Sequence, residues 1–356
     1  MAFAAAENVL APGRAEMAPA SRRAVRIWLF VLAALVFCMV VVGGATRMTG
    51  SGLSITEWRP VTGAIPPLSA EQWSAEFEKY RLIPQYVLLN KGMSLEEFKV
   101  IFWWEWGHRQ LGRFLGLVFA AGFAFLVWRG HLRGRNALIA LGLGLLGGLQ
   151  GTIGWIMVAS GLKPGMTAVA PVKLMLHLTL ASIIFTLLIV WATHLRERTE
   201  RVARRFSIAA KLLAVLTLVQ IALGALVAGS KAGLTYNTWP KMDGRFIPDQ
   251  ATLFAVSPWI ENFVDNPALV QFNHRLAAYL LLAAALWHAW ALGRAAPGTS
   301  ANRRATINVW LLCTQAAIGV WTLLAMVPLW LGLLHQAFAM VVLAMVAVHA
   351  AATRAA

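Results

Sequence analysis

The stretch Val172-Lys173-Leu174-Met175-Leu176-His177, continued from Leu178 to Thr193 without a charge and followed by Arg196, Arg198 and Arg201, decides the fold. At ~1.5 Å of rise per residue, 172–194 is long enough to cross a ~30 Å hydrocarbon layer as a helix. An imidazole lies a few residues in from one end, and arginines lie beyond the other. An ionisable group inside a span is costly and marks a functional position. Arginines in a short loop mark the cytoplasmic side.

Seven similar runs surround it, giving spans at 25–46, 105–128, 136–158, 172–194, 207–229, 267–290, 305–327 and 331–351. The 356 residues are 59% hydrophobic and only 13% charged, which excludes an ordinary soluble domain. A lipid-exposed backbone must satisfy its own hydrogen bonds, so the reading is an all-α polytopic membrane protein with eight transmembrane helices. The net charge of +16 does not indicate nucleic acid. It sits in a basic tail and in the loops after spans two, four and six: Arg129, Arg133 and Arg135; Arg196, Arg198, Arg201, Arg204 and Arg205; Arg294, Arg303 and Arg304. That pattern places both termini in the cytoplasm, or in the matrix of an organelle, and the protein in a bacterial inner (cell) membrane or a mitochondrial inner membrane.

Residues 1–24 read as a disordered basic tail. The first span, after Arg22, Arg23 and Arg26, is too long for a signal-peptide core and reads as an uncleaved anchor. Cys38 and Cys313 lie within apolar segments and read as small buried residues, not as a disulfide or metal knuckle.

The chain repeats itself. Gly52-Leu53-Ser54, Trp58, Gly63 and Pro67 after the first span match Gly233-Leu234-Thr235, Trp239, Gly244 and Pro248 after the fifth. Gln150 with Ile153-Gly154 matches Gln315 with Ile318-Gly319, His108-Arg109 matches His274-Arg275, and Leu176-His177 matches Leu334-His335. Two four-helix units in the same orientation follow, over 25–200 and 201–356, with long outer loops at 47–104 and 230–266. Ser69-x-x-Gln72 and Ser94-x-x-Glu97 are capping-box patterns. Trp73, Phe77 and Tyr80 after the first, and Leu95, Phe98 and Phe102 after the second, predict two short amphipathic helices on the outer face or over a site mouth. The 230–266 loop shows little helical periodicity.

Of eight histidines, His108, His177, His274 and His335 share one depth near the outer ends of the even-numbered spans. Zinc favours four clustered ligands, often including cysteine or carboxylate. Two imidazoles per repeat on aromatic-rich helices suit a bis-imidazole haem better. The pairs are taken within each half by symmetry, although pairing across halves also fits the sequence. Arg109 and Arg275, next to two of the ligands, fit either propionate binding or snorkelling to the interface. His131 and His194 beside the basic loops, and His288 and His349 near the inner span ends, read as interfacial.

Glu105 lies one turn before His108 on the same helix face, and its counterpart is Gln271. A carboxyl beside a haem can act as general acid or base, whereas a primary amide cannot; the competing reading is an acid favoured by the helix N-terminus. The residues alone give one reactive site in the first half and one supporting site in the second.

The stretch Phe98-Lys99-Val100-Ile101-Phe102-Trp103-Trp104-Glu105-Trp106-Gly107-His108-Arg109, with Leu111-Gly112-Arg113, resembles the haem A synthase family. So do Gly50-Ser51-Gly52-Leu53-Ser54-Ile55-Thr56-Glu57-Trp58-Arg59-Pro60 and Tyr236-Asn237-Thr238-Trp239-Pro240-Lys241-Met242-Asp243-Gly244. The likeness runs from about residue 25 to 352. It implies oxidation of the C8 methyl of haem O to the formyl of haem A, by successive hydroxylation and loss of water from a geminal diol. It also implies that His108 and His177 hold the substrate haem, that Glu105 assists, and that His274 and His335 hold a haem B. Its implied partners are haem O, haem A, haem O synthase, cytochrome oxidase assembly factors and an electron acceptor, with self-association left open. No cysteine pair stands in an outer loop, and in this the chain resembles the family's α-proteobacterial and mitochondrial branch.

Two other readings use the same histidines: a bis-haem membrane cytochrome b carrying electrons, and a haem transporter. Four ligands at one face disfavour transfer across the membrane. No paired Asp-rich motif suggests a prenyltransferase.

Overall fold

The computed structural model describes residues 17–196 and 200–356; the expectations for residues 1–16 and for Arg198 lie outside the described residues. Eight helices are long and apolar enough to cross a membrane: Pro19–Met48, Leu95–Trp128, Gly134–Gly161, Pro171–His194, Arg204–Gly229, Pro267–Ala295, Ser300–Leu324 and Leu329–Ala352. They are called spans one to eight. The chain is an all-α polytopic membrane protein.

Local chemistry sets the span ends. Pro19, Pro171 and Pro267 open spans one, four and six, where a missing N–H costs nothing. Asn266 caps span six through the Ala268 N–H. Span seven stops at Leu324, short of the expected 327, because Met326 and Val327 adopt left-handed φ values of 62° and 54°.

The packing follows the repeat. Span one packs on spans two and four, and span three on span four; span five packs on spans six and eight, and span seven on span eight. Between the halves, span four meets spans five and eight, and span one meets span eight. Spans one, four, five and eight therefore form the centre, with the other four outside. One core unites Val25, Leu29 and Leu32 of span one with Phe185 and Trp191 of span four and Met340 and Leu343 of span eight.

Several expectations change. The Ser94 capping box is present, but it opens a continuous 34-residue helix that contains span two, not a separate surface helix. Nothing between Leu95 and Glu105 interrupts helical hydrogen bonding, so the amphipathic segment and the span fuse. The Ser69-capped helix Ala70–Arg81 packs on that extension: Trp73 meets Phe102 edge-on at 4.9 Å, and Phe77 lies 5.0 Å from Phe98. The result is a roof of Tyr80, Phe98, Ile101 and Phe102 over Leu53.

Cys38 is exposed and Cys313 partly so, both as free thiols, because lipid accommodates an apolar sulfur as well as a core does. His194, His288 and His349 are buried among the helices, not exposed at the protein surface. Two three-residue strands, Glu200–Val202 and Thr353–Ala355, pair in parallel and tie the linker between the halves to the C-terminal segment.

Candidate functional site

Each of the four outer histidines faces a glycine on the preceding span. A Cβ built on Gly43 would lie 2.9 Å from the His108 ring, on Gly154 2.8 Å from His177, on Gly224 3.1 Å from His274, and on Gly319 2.8 Å from His335. A glycine at each place lets a ring lie against a helix backbone. The His108 ring meets the backbone carbonyl of Met39, as the His177 and His274 rings meet those of Gln150 and Gln220. A carbonyl that engages one ring nitrogen fixes the tautomer and leaves the other nitrogen for a metal.

Three glutamines extend this arrangement. Gln150 Nε2 donates to the His177 carbonyl at 2.9 Å and lies 3.0 Å from its Nδ1. Gln220 does the same for His274 at 3.0 and 3.1 Å, and Gln315 for His335 at 3.0 and 3.1 Å. Among the described residues, the side-chain oxygens of all three glutamines are buried without a hydrogen-bond partner. These glutamines and glycines escaped notice as site residues, although the spacing Gln-x-x-x-Gly recurs at 150–154, 220–224 and 315–319.

The rings associate by halves: His108 lies within electrostatic range of His177, and His274 of His335. Among the described residues, no three or more His, Cys, Asp or Glu side chains cluster as a metal site. Paired imidazoles with glycine clearance and an engaged second ring nitrogen fit an iron porphyrin held from both faces.

The acid and the arginines form a lock on the outer loop. Glu105 is 3% exposed. Its Oε2 accepts from Ser54 Oγ at 2.8 Å and from the Ile55 N–H at 2.9 Å, and its Oε1 accepts from Arg109 at 2.6 Å. Arg109 also donates to the carbonyls of Ile55 and Glu57 at 2.8 and 3.1 Å. The second half repeats the lock without the charge. Gln271 Oε1 accepts from Arg275 at 2.6 Å, its Nε2 donates to the Ala232 carbonyl at 2.7 Å, and Arg275 donates to the carbonyls of Tyr236 and Thr238 at 3.0 and 2.9 Å. Both guanidinium groups thus bind loop carbonyls, and Glu105 is the partner that can exchange a proton.

The first lock borders a small cavity of about 100 Å³ lined by Glu57, Trp58, Arg109, Trp155 and Leu162 among others. Trp58 lies 5.7 Å from Trp155 of span three. Its counterpart, Trp239, donates instead to the Tyr279 hydroxyl at 3.0 Å.

At the basic end the halves differ. His288 and His349, 1% and 0% exposed, face each other with Nε2 atoms 2.9 Å apart. The repeat places Gly122 and the fully buried Trp191 at the equivalent positions of the first half.

Eight apolar helices in two similar units, each with an imidazole pair at the same end, define a polytopic membrane protein with two candidate haem sites. The family model described as cytochrome oxidase assembly protein matches residues 26–347. A relative named "Heme A synthase" in Methylobacterium sp. (strain 4-46) is 62% identical over 342 residues, covering 96% of this chain and 95% of its own. A second of that name in Methylobacterium nodulans is 64% identical over 319 residues, 89% of each chain. A third in Brucella anthropi is 50% identical over 355 residues, 99% of each chain. The chain belongs to the haem A synthase family of cytochrome oxidase assembly proteins.

Proposed function

We propose that the chain forms haem A by oxidising the C8 methyl of haem O to a formyl group, with the substrate haem held by His108 and His177 and a haem B held by His274 and His335. The observation that carries this reading is the asymmetry between two otherwise matching sites. Both halves hold an imidazole pair and an arginine lock, and only the first places a carboxyl, Glu105, one turn from a candidate ligand. The relatives' name supplies the product.

Bound haem supplies redox-active iron. The protein's part is to hold, orient and move protons. His108 and His177 approach from spans two and four, each ring fixed against a helix carbonyl. Ser54, the Ile55 N–H and Arg109 keep the Glu105 carboxylate in one orientation, so it can take up a proton from the reacting edge without first rearranging. The roof over Leu53 excludes water from that end. Arg109 and Arg275 also stand where haem propionates would meet guanidinium groups at the membrane surface.

The basic loops orient the site end away from the cytoplasm, with both termini inside, in a bacterial inner membrane. Haem O synthase as donor, oxidase assembly factors as recipients and an electron acceptor complete this reading.

Co-expression with a source of haem O, followed by extraction and chromatography of the pigments, tests it. Accumulation of haem A supports the proposal; unconverted haem O beside a haem-loaded protein rejects it.

A further inference from the structure

Three of the four outer histidines are bracketed by a glutamine, and His108 is not. Its glycine, Gly43, is present, but Met39 occupies the place of Gln220, at the same offset that carries Gly43 to Gly224 and Gly52 to Gly233. A thioether cannot donate a hydrogen bond, so nothing at position 39 replaces the amide that joins span five to the His274 carbonyl. The Met39 methyl instead lies against span two, 3.6 Å from where a Cβ at Gly112 would stand.

The other side of span two is also loosely filled. Gly116 of span two and Gly147 and Gly151 of span three would present a Cβ to nothing within 4 Å. The equivalent second-half positions are Leu282, Leu312 and Ala316, and Leu282 packs with buried Leu312 in one core. Span six is therefore knitted to both neighbours, while span two lacks the amide bracket on one side and the leucine packing on the other.

Resting on the haem-site reading above, we propose that His108 is the exchangeable ligand of the first-half site. Its imidazole lets go so that a substrate porphyrin enters and the product leaves, and Met39, standing where a glutamine would, permits this. In the exchange the iron–imidazole bond breaks, the lone pair returns to the ring and no electron is transferred. His177, bracketed by Gln150, stays on, and the second half, bracketed twice, keeps its haem. A site that turns over its haem needs one releasable face; a site that keeps a cofactor does not.

The test mixes the purified haem-loaded full chain in detergent with excess apomyoglobin as a haem sink and follows transfer by absorption. Two phases are expected, with the faster removed in amplitude by His177→Ala. Met39→Gln should slow the faster phase by roughly five-fold or more, the worth of one added hydrogen bond. Gln220→Met should speed the slower phase by a similar factor, and Met39→Leu should leave the faster phase at its wild-type rate. The proposal is overturned if Met39→Gln, still loaded in both halves, releases haem as fast as wild type. It is also overturned if the first half of the wild type releases haem no faster than the second, or if Gln220→Met leaves the slower phase unchanged. A faster phase that survives both His108→Ala and His177→Ala at full amplitude would instead reject the ligand assignment on which the inference rests.

Discussion

Arg109 donates to Glu105 at 2.6 Å across one helical turn, and Arg275 donates to Gln271 at the same distance in the other half. The two locks hold equivalent loops; the first carries a carboxylate that accepts from Ser54 and the Ile55 N–H, where the second carries an amide that donates to the Ala232 carbonyl. The shared arginine-to-loop contacts are common to both sites, and the acid, to which the proposed function assigns the chemistry, is found in one.

Glu105→Gln gives the first half the amide that the second half carries at Gln271. Haem should stay bound, because Arg109 keeps a side-chain acceptor. Formation of haem A should fall by about 100-fold or more, the usual loss when a general acid or base is removed. The ratio of haem A to haem O in extracted pigments measures it, and a wild-type ratio would remove Glu105 from the chemistry.

His274→Ala or His335→Ala should each abolish a low-spin haem B spectrum in the purified protein, because each removes one imidazole of the second pair. A full low-spin spectrum in both variants would reject the assignment.

Gly154→Ala and Gly319→Ala test the clearance at the rings. In each, the new methyl would stand 2.8 Å from a ring carbon, and the ring must shift. Haem content should drop in the half concerned. Gly142→Ala, on the same span as Gly154 but facing nothing within 4 Å, should keep its haem. Equal haem content in all three variants would contradict the packing.

His288→Leu should leave the His349 Nε2 buried without a partner, a cost of about 1–3 kcal/mol. A lower melting temperature with an unchanged haem spectrum is expected, since fourteen residues of helix (288 minus 274) set His288 ~21 Å from the second site. An unchanged melting temperature would show that the pair contributes nothing to stability.

The spans were legible because a bilayer imposes a length and a polarity that composition reports directly. The four outer histidines and the contrast of Glu105 with Gln271 were legible because the chain carries its own internal control. The fusion of the Ser94-capped segment with span two was hidden: a capping box marks where a helix starts, not how far it runs. The burial of His288 and His349 was hidden because their Nε2 atoms meet across two spans, a contact with no local signature. The glutamine brackets lay in plain view as a repeated spacing, but an amide reads as ordinary polar sequence until its partner is seen. Cys38 and Cys313 misled because an apolar residue in a span can face lipid as readily as core.

If the two halves hold different haems for different purposes, each loses its own pigment when its histidine pair is removed. Pigment analysis of the purified protein, expressed with a haem O source as wild type, His108→Ala/His177→Ala and His274→Ala/His335→Ala, tests it most directly. The account predicts haem B together with haem O or haem A in the wild type, loss of only the haem O and haem A fraction in the first double variant, and loss of only haem B in the second. Depletion of the same pigment by both double variants would contradict it.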